Sequence, residues 1–183
     1  MKVEYFKHNL GQEEIKEAVK ALHSLFLTTG NYVDQLEEAL AAYLDTKYAV
    51  GLTSCTGALH LALLAAGVQH GDEVITTPMS FVATANSVCM TVATQIFVDV
   101  ERDTGNIDTN LIEKAISKKT KAILPVHLYG QMADMKKILS IAKKHNFLVV
   151  EDSAHALEAQ RDGIKPGQQS FGACFSFYAT KSI

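Results

Sequence analysis

The sequence has few of the features that mark the commoner function classes. Its three cysteines, Cys55, Cys89 and Cys174, are far apart, odd in number and without CxxC spacing. Reduced thiols fit that pattern better than a disulfide framework. There is no basic excess: 17 Lys and Arg stand against 20 Asp and Glu, for a net charge of −3 and an isoelectric point near 6.1. This argues against nucleic acid as the main partner. The short clusters Lys118-Lys119 with Lys121, Lys136-Lys137 and Lys143-Lys144 read as solvated helix ends or faces. No stretch approaches the ~20 apolar residues of a membrane span. The start, residues 1–7, carries no apolar run followed by a small-residue cleavage site. A cytoplasmic protein is therefore expected. Internal repeats, low-complexity linkers and the motifs GxxxxGK[ST], GxGxxG and GxSxG are all missing. The seven histidines form no HExxH pair, so metal catalysis has little support.

What is present is a regular alternation. At 183 residues the chain can build one ordinary domain with a sizeable core. Its 48% hydrophobic content and mean hydropathy of +0.07 suit a generous core or a large partner surface. Helical periodicity puts Ile15, Val19, Leu22 and Phe26 on one face of residues 12–26, and Tyr32, Leu36, Leu40 and Tyr43 on one face of residues 32–44. An Ala/Leu-rich helix follows the turn Thr53–Gly57 and ends near Gly67. Further helices are expected over residues 80–91, 109–118 and 133–145, the last with Met135, Ile138, Leu139 and Ala142 inward. Short apolar runs at 47–52, 73–77, 95–98, 121–126, 147–150 and 172–177 read as strands, with a turn at residues 103–106. Short apolar strands alternating with longer amphipathic helices imply a mostly parallel sheet covered on both faces. Ligands of such sheets sit at the carboxyl ends of the strands, often against helix N-termini.

The groups of chemical interest fall at those ends. Lys181 lies just beyond the alternating Phe175-Ser176-Phe177-Tyr178, and Asp152 ends the apolar run Phe147-Leu148-Val149-Val150-Glu151. An amine and a strand-end carboxylate suit pyridoxal phosphate (PLP), which needs an amine, an acid at its ring nitrogen, a phosphate cradle and a cover for its ring. Burial and a nearby cation lower a lysine pKa enough for it to form a Schiff base. The hydroxyl-bearing turn Ser54-Cys55-Thr56-Gly57-Ala58 suits a phosphate at a helix N-terminus, and Ser176 offers another hydroxyl. Phe81, after Pro78-Met79-Ser80, is the candidate ring cover. His155 can reach either the cofactor's phenolic oxygen or Asp152. Each group has a plainer alternative: Lys181 a surface lysine, Asp152 a helix N-cap, Ser54–Ala58 an ordinary helix start, Ser176 a strand residue, Phe81 core, and His155 structural.

Taken in order, these segments resemble the DegT/DnrJ/EryC1/StrS family of sugar aminotransferases. The match is carried by Leu27-Thr28-Thr29-Gly30, Ser54-Cys55-Thr56-Gly57-Ala58, Gly71-Asp72-Glu73-Val74-Ile75, Pro78-Met79-Ser80-Phe81 and Asn106-Ile107-Asp108. It continues through Pro125-Val126-His127-Leu128-Tyr129-Gly130-Gln131, Glu151-Asp152-Ser153-Ala154-His155-Ala156 and Phe175–Lys181. The resemblance implies the three-layer α/β/α large domain of PLP fold type I, with residues 1–30 as an N-terminal arm and helix and 31–183 as the PLP-binding domain. It implies that Lys181 is the Schiff-base lysine and acid–base group and that Asp152 pairs with the pyridine nitrogen. By the same resemblance His155 lies near the phenolic oxygen, Thr56, Gly57 and Ser176 hold the phosphate, and Phe81 stacks on the ring. The implied reaction moves an amino group from glutamate, which leaves as 2-oxoglutarate, to a nucleotide-linked keto-sugar, in a homodimer.

The sequence departs from the family pattern in places. Gly57 stands where many members have Ala, and Gln168-Gln169-Ser170-Phe171-Gly172-Ala173 differs from a more usual Gly-Ser-x-Gly-Asp. Some members replace the lysine with histidine and remove a hydroxyl instead, so Lys181 favours transamination. Members run to roughly twice this length, with a Gly-Glu-Gly-Gly turn and a small C-terminal domain after the lysine. The 183 residues alone are therefore expected to bind PLP weakly, to turn over little and to associate. The alternative from another class is a non-catalytic remnant acting as an association module.

Overall fold

The structure, a computed structural model, describes residues 8–28 and 30–181. Thr29 of the Leu27–Gly30 segment and residues 1–7 of the expected arm lie outside the described residues. Two compact units divide the chain: the described residues through Gly51 together with those from Phe177, and Leu52–Ser176.

The first unit holds helices α1 (Gln12–Leu22) and α2 (Asn31–Leu44). Glu14 accepts the Gly11 N–H at 2.6 Å, satisfying one of the donors that every helix start leaves open. The expected helix over 12–26 stops at Leu22, and just past its end the Ser24 hydroxyl donates to the Ala21 carbonyl at 2.7 Å. The α1 stripe is present, but Ile15, Val19 and Leu22 are 52%, 46% and 70% exposed, and the helix buries no residue. The expected strand over 47–52 is absent. The Gly51 N–H donates to Glu37 Oε1 at 2.6 Å instead of entering a ladder, and Tyr48 and Val50 are exposed.

The second unit is a five-stranded, all-parallel sheet in the order β2-β1-β3-β4-β5. Its strands are β1 (Glu73–Thr76), β2 (Thr94–Phe97), β3 (Thr120–Ile123), β4 (Leu148–Asp152) and β5 (Gly172–Cys174). Helices α3 (Cys55–Ala65), α4 (Val82–Met90), α5 (Thr109–Ile112) and α6 (Met135–His145) complete it. The expected helix over 109–118 is a single α-turn that tightens into a 3-10 turn at Glu113–Ala115.

Alternation along the strands sorts the core into two layers. Ile75, Ile123 and Val149 pack with Ile112, Met135, Ile138, Ile141 and Ala142 on one face. Val74, Ala122, Leu124 and Val150 pack with Leu59, Leu63 and Val88 on the other. Of the residues expected inward on α6, Met135, Ile138 and Ala142 are buried, Leu139 is only partly so, and Ile141 joins them. The result is a helix–sheet–helix sandwich, as the alternation of the sequence predicts. Among the described residues, no helix is long and apolar enough to cross a membrane.

Ile138→Ala opens a cavity at a fully buried position, and a stability loss of about 2–5 kcal/mol is expected in denaturant titration. Val19→Ala, on the exposed α1 stripe, is expected to change stability by less than about 0.5 kcal/mol.

Candidate functional site

All five strands run parallel, so their carboxyl ends share one edge of the sheet. Asp152 is the last residue of β4 and is 6% exposed. Its backbone is held from the neighbouring chain: its N–H donates to the Pro125 carbonyl at 2.9 Å, and its carbonyl accepts the His127 N–H at 3.0 Å. Following the alternation, its side chain joins the face of Val150, towards α4. There Oδ2 accepts the Thr84 hydroxyl at 2.6 Å, while Oδ1 accepts the Ala154 N–H at 3.2 Å. The Ala154 bond is the capping contact anticipated as the plainer role, but it closes a turn and starts no helix. A carboxylate has about four acceptor positions, so two further donors can be accommodated.

Thr84 is supported in turn. Its hydroxyl is hydrogen-bonded to Ser80, and its N–H donates to the Phe81 carbonyl at 3.1 Å. This explains why α4 begins at Val82 rather than Ser80. Phe81 is 75% exposed, which excludes the core role for its ring. Neither Thr84 nor Ser80 was singled out from the sequence as a contact of Asp152. Their i, i+4 spacing suggests only that the two meet each other, and nothing in it points to Asp152.

The Ser54–Ala58 turn is a capped helix start. The Ser54 hydroxyl oxygen accepts the Gly57 N–H at 3.0 Å, and Thr56 lies in the first turn of α3, partly buried. A Cβ at Gly57 would meet Ser54 Oγ at 3.3 Å, tight but not prohibitive. Cys55, the first residue of α3, packs in the same apolar cluster as Cys174, the last residue of β5, which places this helix start at the strand ends. Ser176 follows β5 and is partly buried.

His155 is stacked on Tyr129, with ring centroids 5.8 Å apart and 8° between planes. Tyr129 and Gly130 both have left-handed backbones, φ 52° and 85°. A Cβ on Gly130 would come within 3.0 Å of the His155 carbonyl, so this turn favours glycine on both counts. Lys181 belongs to the first unit, in a turn where its N–H donates to the Tyr178 carbonyl at 2.8 Å. The other six candidates, Thr56, Gly57, Phe81, Asp152, His155 and Ser176, all fall in the second unit.

The donor set fits PLP. A buried strand-end carboxylate with acceptor capacity left suits a protonated ring nitrogen, and a capped helix N-terminus with a threonine suits a phosphate. Among the described residues no group of three His, Cys, Asp or Glu side chains is placed to hold a metal ion.

Comparison with known proteins agrees with this geometry. The profile of the DegT/DnrJ/EryC1/StrS aminotransferase family matches residues 8–183. The chain is 44% identical over 174 residues to the spore coat polysaccharide biosynthesis protein SpsC of Bacillus subtilis, covering 95% of this chain and 45% of that one. It is 44% identical over 156 residues to GDP-perosamine synthase of Caulobacter vibrioides, covering 85% and 42%. Its structure matches that of Spr1654 from Streptococcus pneumoniae in the PLP form, with a TM-score of 0.93 at 34% identity, covering 98% and 50%. The chain thus spans about half the length of these relatives.

Thr84→Val keeps the side-chain shape and removes the hydroxyl donated to Asp152. A loss of about 1–3 kcal/mol is expected in denaturant titration. Burial, with the neighbouring Cys55, Asp152 and Glu151 charges, pushes the Cys174 thiol well above its ordinary 9.0. The unfolded thiol ionises first, so this contribution is intact below pH 9 and is lost progressively above it. Between pH 8 and 10 the wild type should therefore lose more stability than Cys174→Ala, as read by guanidinium midpoints.

Proposed function

Because the chain belongs to the DegT/DnrJ/EryC1/StrS aminotransferase family, we propose that it works as a PLP-dependent sugar aminotransferase that moves an amino group from glutamate to a nucleotide-linked keto-sugar. The observation that carries the proposal is the buried Asp152 carboxylate, fixed at the end of β4 by Thr84 and Ala154 with acceptor positions remaining. The similarity to GDP-perosamine synthase and to SpsC supports a sugar substrate and a place in polysaccharide or modified-sugar synthesis. The three separated thiols support a reducing compartment, consistent with the cytoplasm. A homodimer is proposed as the working form.

PLP supplies an electron sink that weakens the bonds at the amino-bearing carbon. Every other task falls to this chain. Asp152 keeps a proton on the ring nitrogen, because a carboxylate beside it favours the charged form. Lys181 Nζ would hold the cofactor and would serve as the base and acid for the proton at the reacting carbon. The start of α3, with the Thr56 hydroxyl, binds the phosphate through N–H groups and the helix dipole. The Gly57 N–H is engaged by Ser54, so Gly57 would contribute to the phosphate site through its place in the capped first turn. Ser176 adds a hydroxyl to the phosphate site. Phe81 would cover one face of the ring, and His155 would orient the phenolic edge.

The test is reduction with borohydride after incubation with PLP, followed by peptide mass spectrometry. A phosphopyridoxyl adduct on Lys181 is expected, with none in Lys181→Ala. Labelling that ignores Lys181 would overturn the assignment.

A further inference from the structure

Directly before Asp152 stands a second buried carboxylate to which the proposed chemistry gives no task. Glu151 and His127 are each 1% exposed. His127 Nε2 and Glu151 Oε2 are 2.7 Å apart, and the Ala133 N–H donates to His127 Nδ1 at 3.2 Å. A ring nitrogen that accepts a backbone N–H carries no proton, so in a neutral ring the proton sits on Nε2 and is donated to Glu151. The other oxygen, Oε1, accepts the Gly167 N–H at 2.9 Å and the Ser170 hydroxyl. Three donors thus converge on one buried carboxylate.

The pair grips the same backbone that carries Asp152. Residue 127 holds β4 twice: its N–H donates to the Asp152 carbonyl, and its ring holds the Glu151 side chain. Successive strand residues point to opposite faces, so Glu151 is anchored in one layer while Asp152 projects into the other. Rotating the backbone at residue 152 would break the His127 ring contact, the Gly167 and Ser170 contacts, or both. We propose that His127 and Glu151 are positioning residues that set the direction of the Asp152 carboxylate towards the ring nitrogen; this rests on the PLP function proposed above. The strength of such a restraint follows from the geometry of catalysis, in which a misplacement of ~1 Å costs on the order of a hundredfold in rate.

The test compares wild type with Glu151→Gln, His127→Asn, His127→Gln and Ser170→Ala. Asn at position 127 retains an acceptor near the place of Nδ1 but is too short to reach Glu151, whereas Gln places an amide donor near the position of Nε2. Two readouts are used: the ring-nitrogen NMR shift of 15N-labelled PLP titrated to saturation, and hydrogen exchange of the Asp152–Ala154 amides without cofactor. Thermal melting tracks global stability alongside.

Glu151→Gln and His127→Asn are expected to move the ring nitrogen towards its unprotonated shift and to speed exchange at Asp152–Ala154 more than in the rest of the sheet. Their kcat/KM should fall roughly tenfold to a hundredfold. His127→Gln should restore most of the wild-type signal. Ser170→Ala removes only one donor at a partly exposed site, so it stays folded if the buried variants do not, and it should shift both readouts less but in the same direction. Unmoved readouts in folded variants, or exchange rising uniformly along the sheet, overturn the positioning role and leave the PLP function standing. A wild type that gives no bound ring-nitrogen signal at saturating PLP overturns PLP binding by these residues, and this role with it.

Discussion

The candidate site depends on one stretch of parallel pairing, in which residues 125–127 run beside the end of β4. The Asp152 N–H and carbonyl are both used there, by Pro125 and His127. The rest follows from strand geometry. With the backbone fixed, Asp152 must share a face with Val150 and meet α4, and Glu151 must share a face with Val149 and meet the opposite layer. A register slip of one residue would exchange the two carboxylates. Val149 and Val150 pack in opposite layers, so the same slip would also move each valine into the wrong one.

Two adjacent carboxylates at the inner end of a buried strand would be costly if their oxygens went unsatisfied. Here each is provided for separately, Asp152 by Thr84 and Ala154 and Glu151 by His127, Gly167 and Ser170. The partners come from α4, the turn after β4, the turn after β3 and the loop before β5. The polar contacts therefore tie together the loops that the sheet leaves open at its carboxyl edge. The segment Gln168–Ala173, which departs from the family's usual pattern, still supplies the Ser170 donor, so its altered sequence keeps a polar task.

Much of this was legible in the sequence. Short runs at 73–77, 95–98 and 147–150 mark β1, β2 and β4 to within two residues at each end, the run 121–126 overshoots β3 by three, and the end of the Phe147–Val150 run points to Asp152. The chemical types around PLP were also legible, because amine, acid, hydroxyl turn and aromatic fell in the family's order. What escaped was set by partners far along the chain. The run 47–52 looked like a strand by composition, but a strand needs a neighbour, and the Gly51 N–H found the Glu37 side chain instead. The α1 stripe holds for Ile15, Val19 and Leu22 but not for Phe26, which lies beyond the helix, and periodicity says which face is apolar and not whether anything covers it. Thr84 gave no sign of its contact with Asp152, since a threonine in a helix start has many ordinary uses. His127 and Glu151 lie in segments that match the family pattern, but only distances reveal that they meet.

The separations along the chain also order events during folding. His127 and Glu151 are 24 residues apart, and Thr84 and Asp152 are 68 apart. Closing the longer loop costs about 1 kcal/mol more in chain entropy. Contacts between near neighbours in sequence form sooner than those between distant ones. The buried histidine–glutamate contact can thus settle while the helix bearing Thr84 is still undocked, and the carboxylate next to it acquires its hydroxyl only when the far layer arrives. On that ordering, assembly of the sheet would set the direction of the site before the Thr84 contact is made.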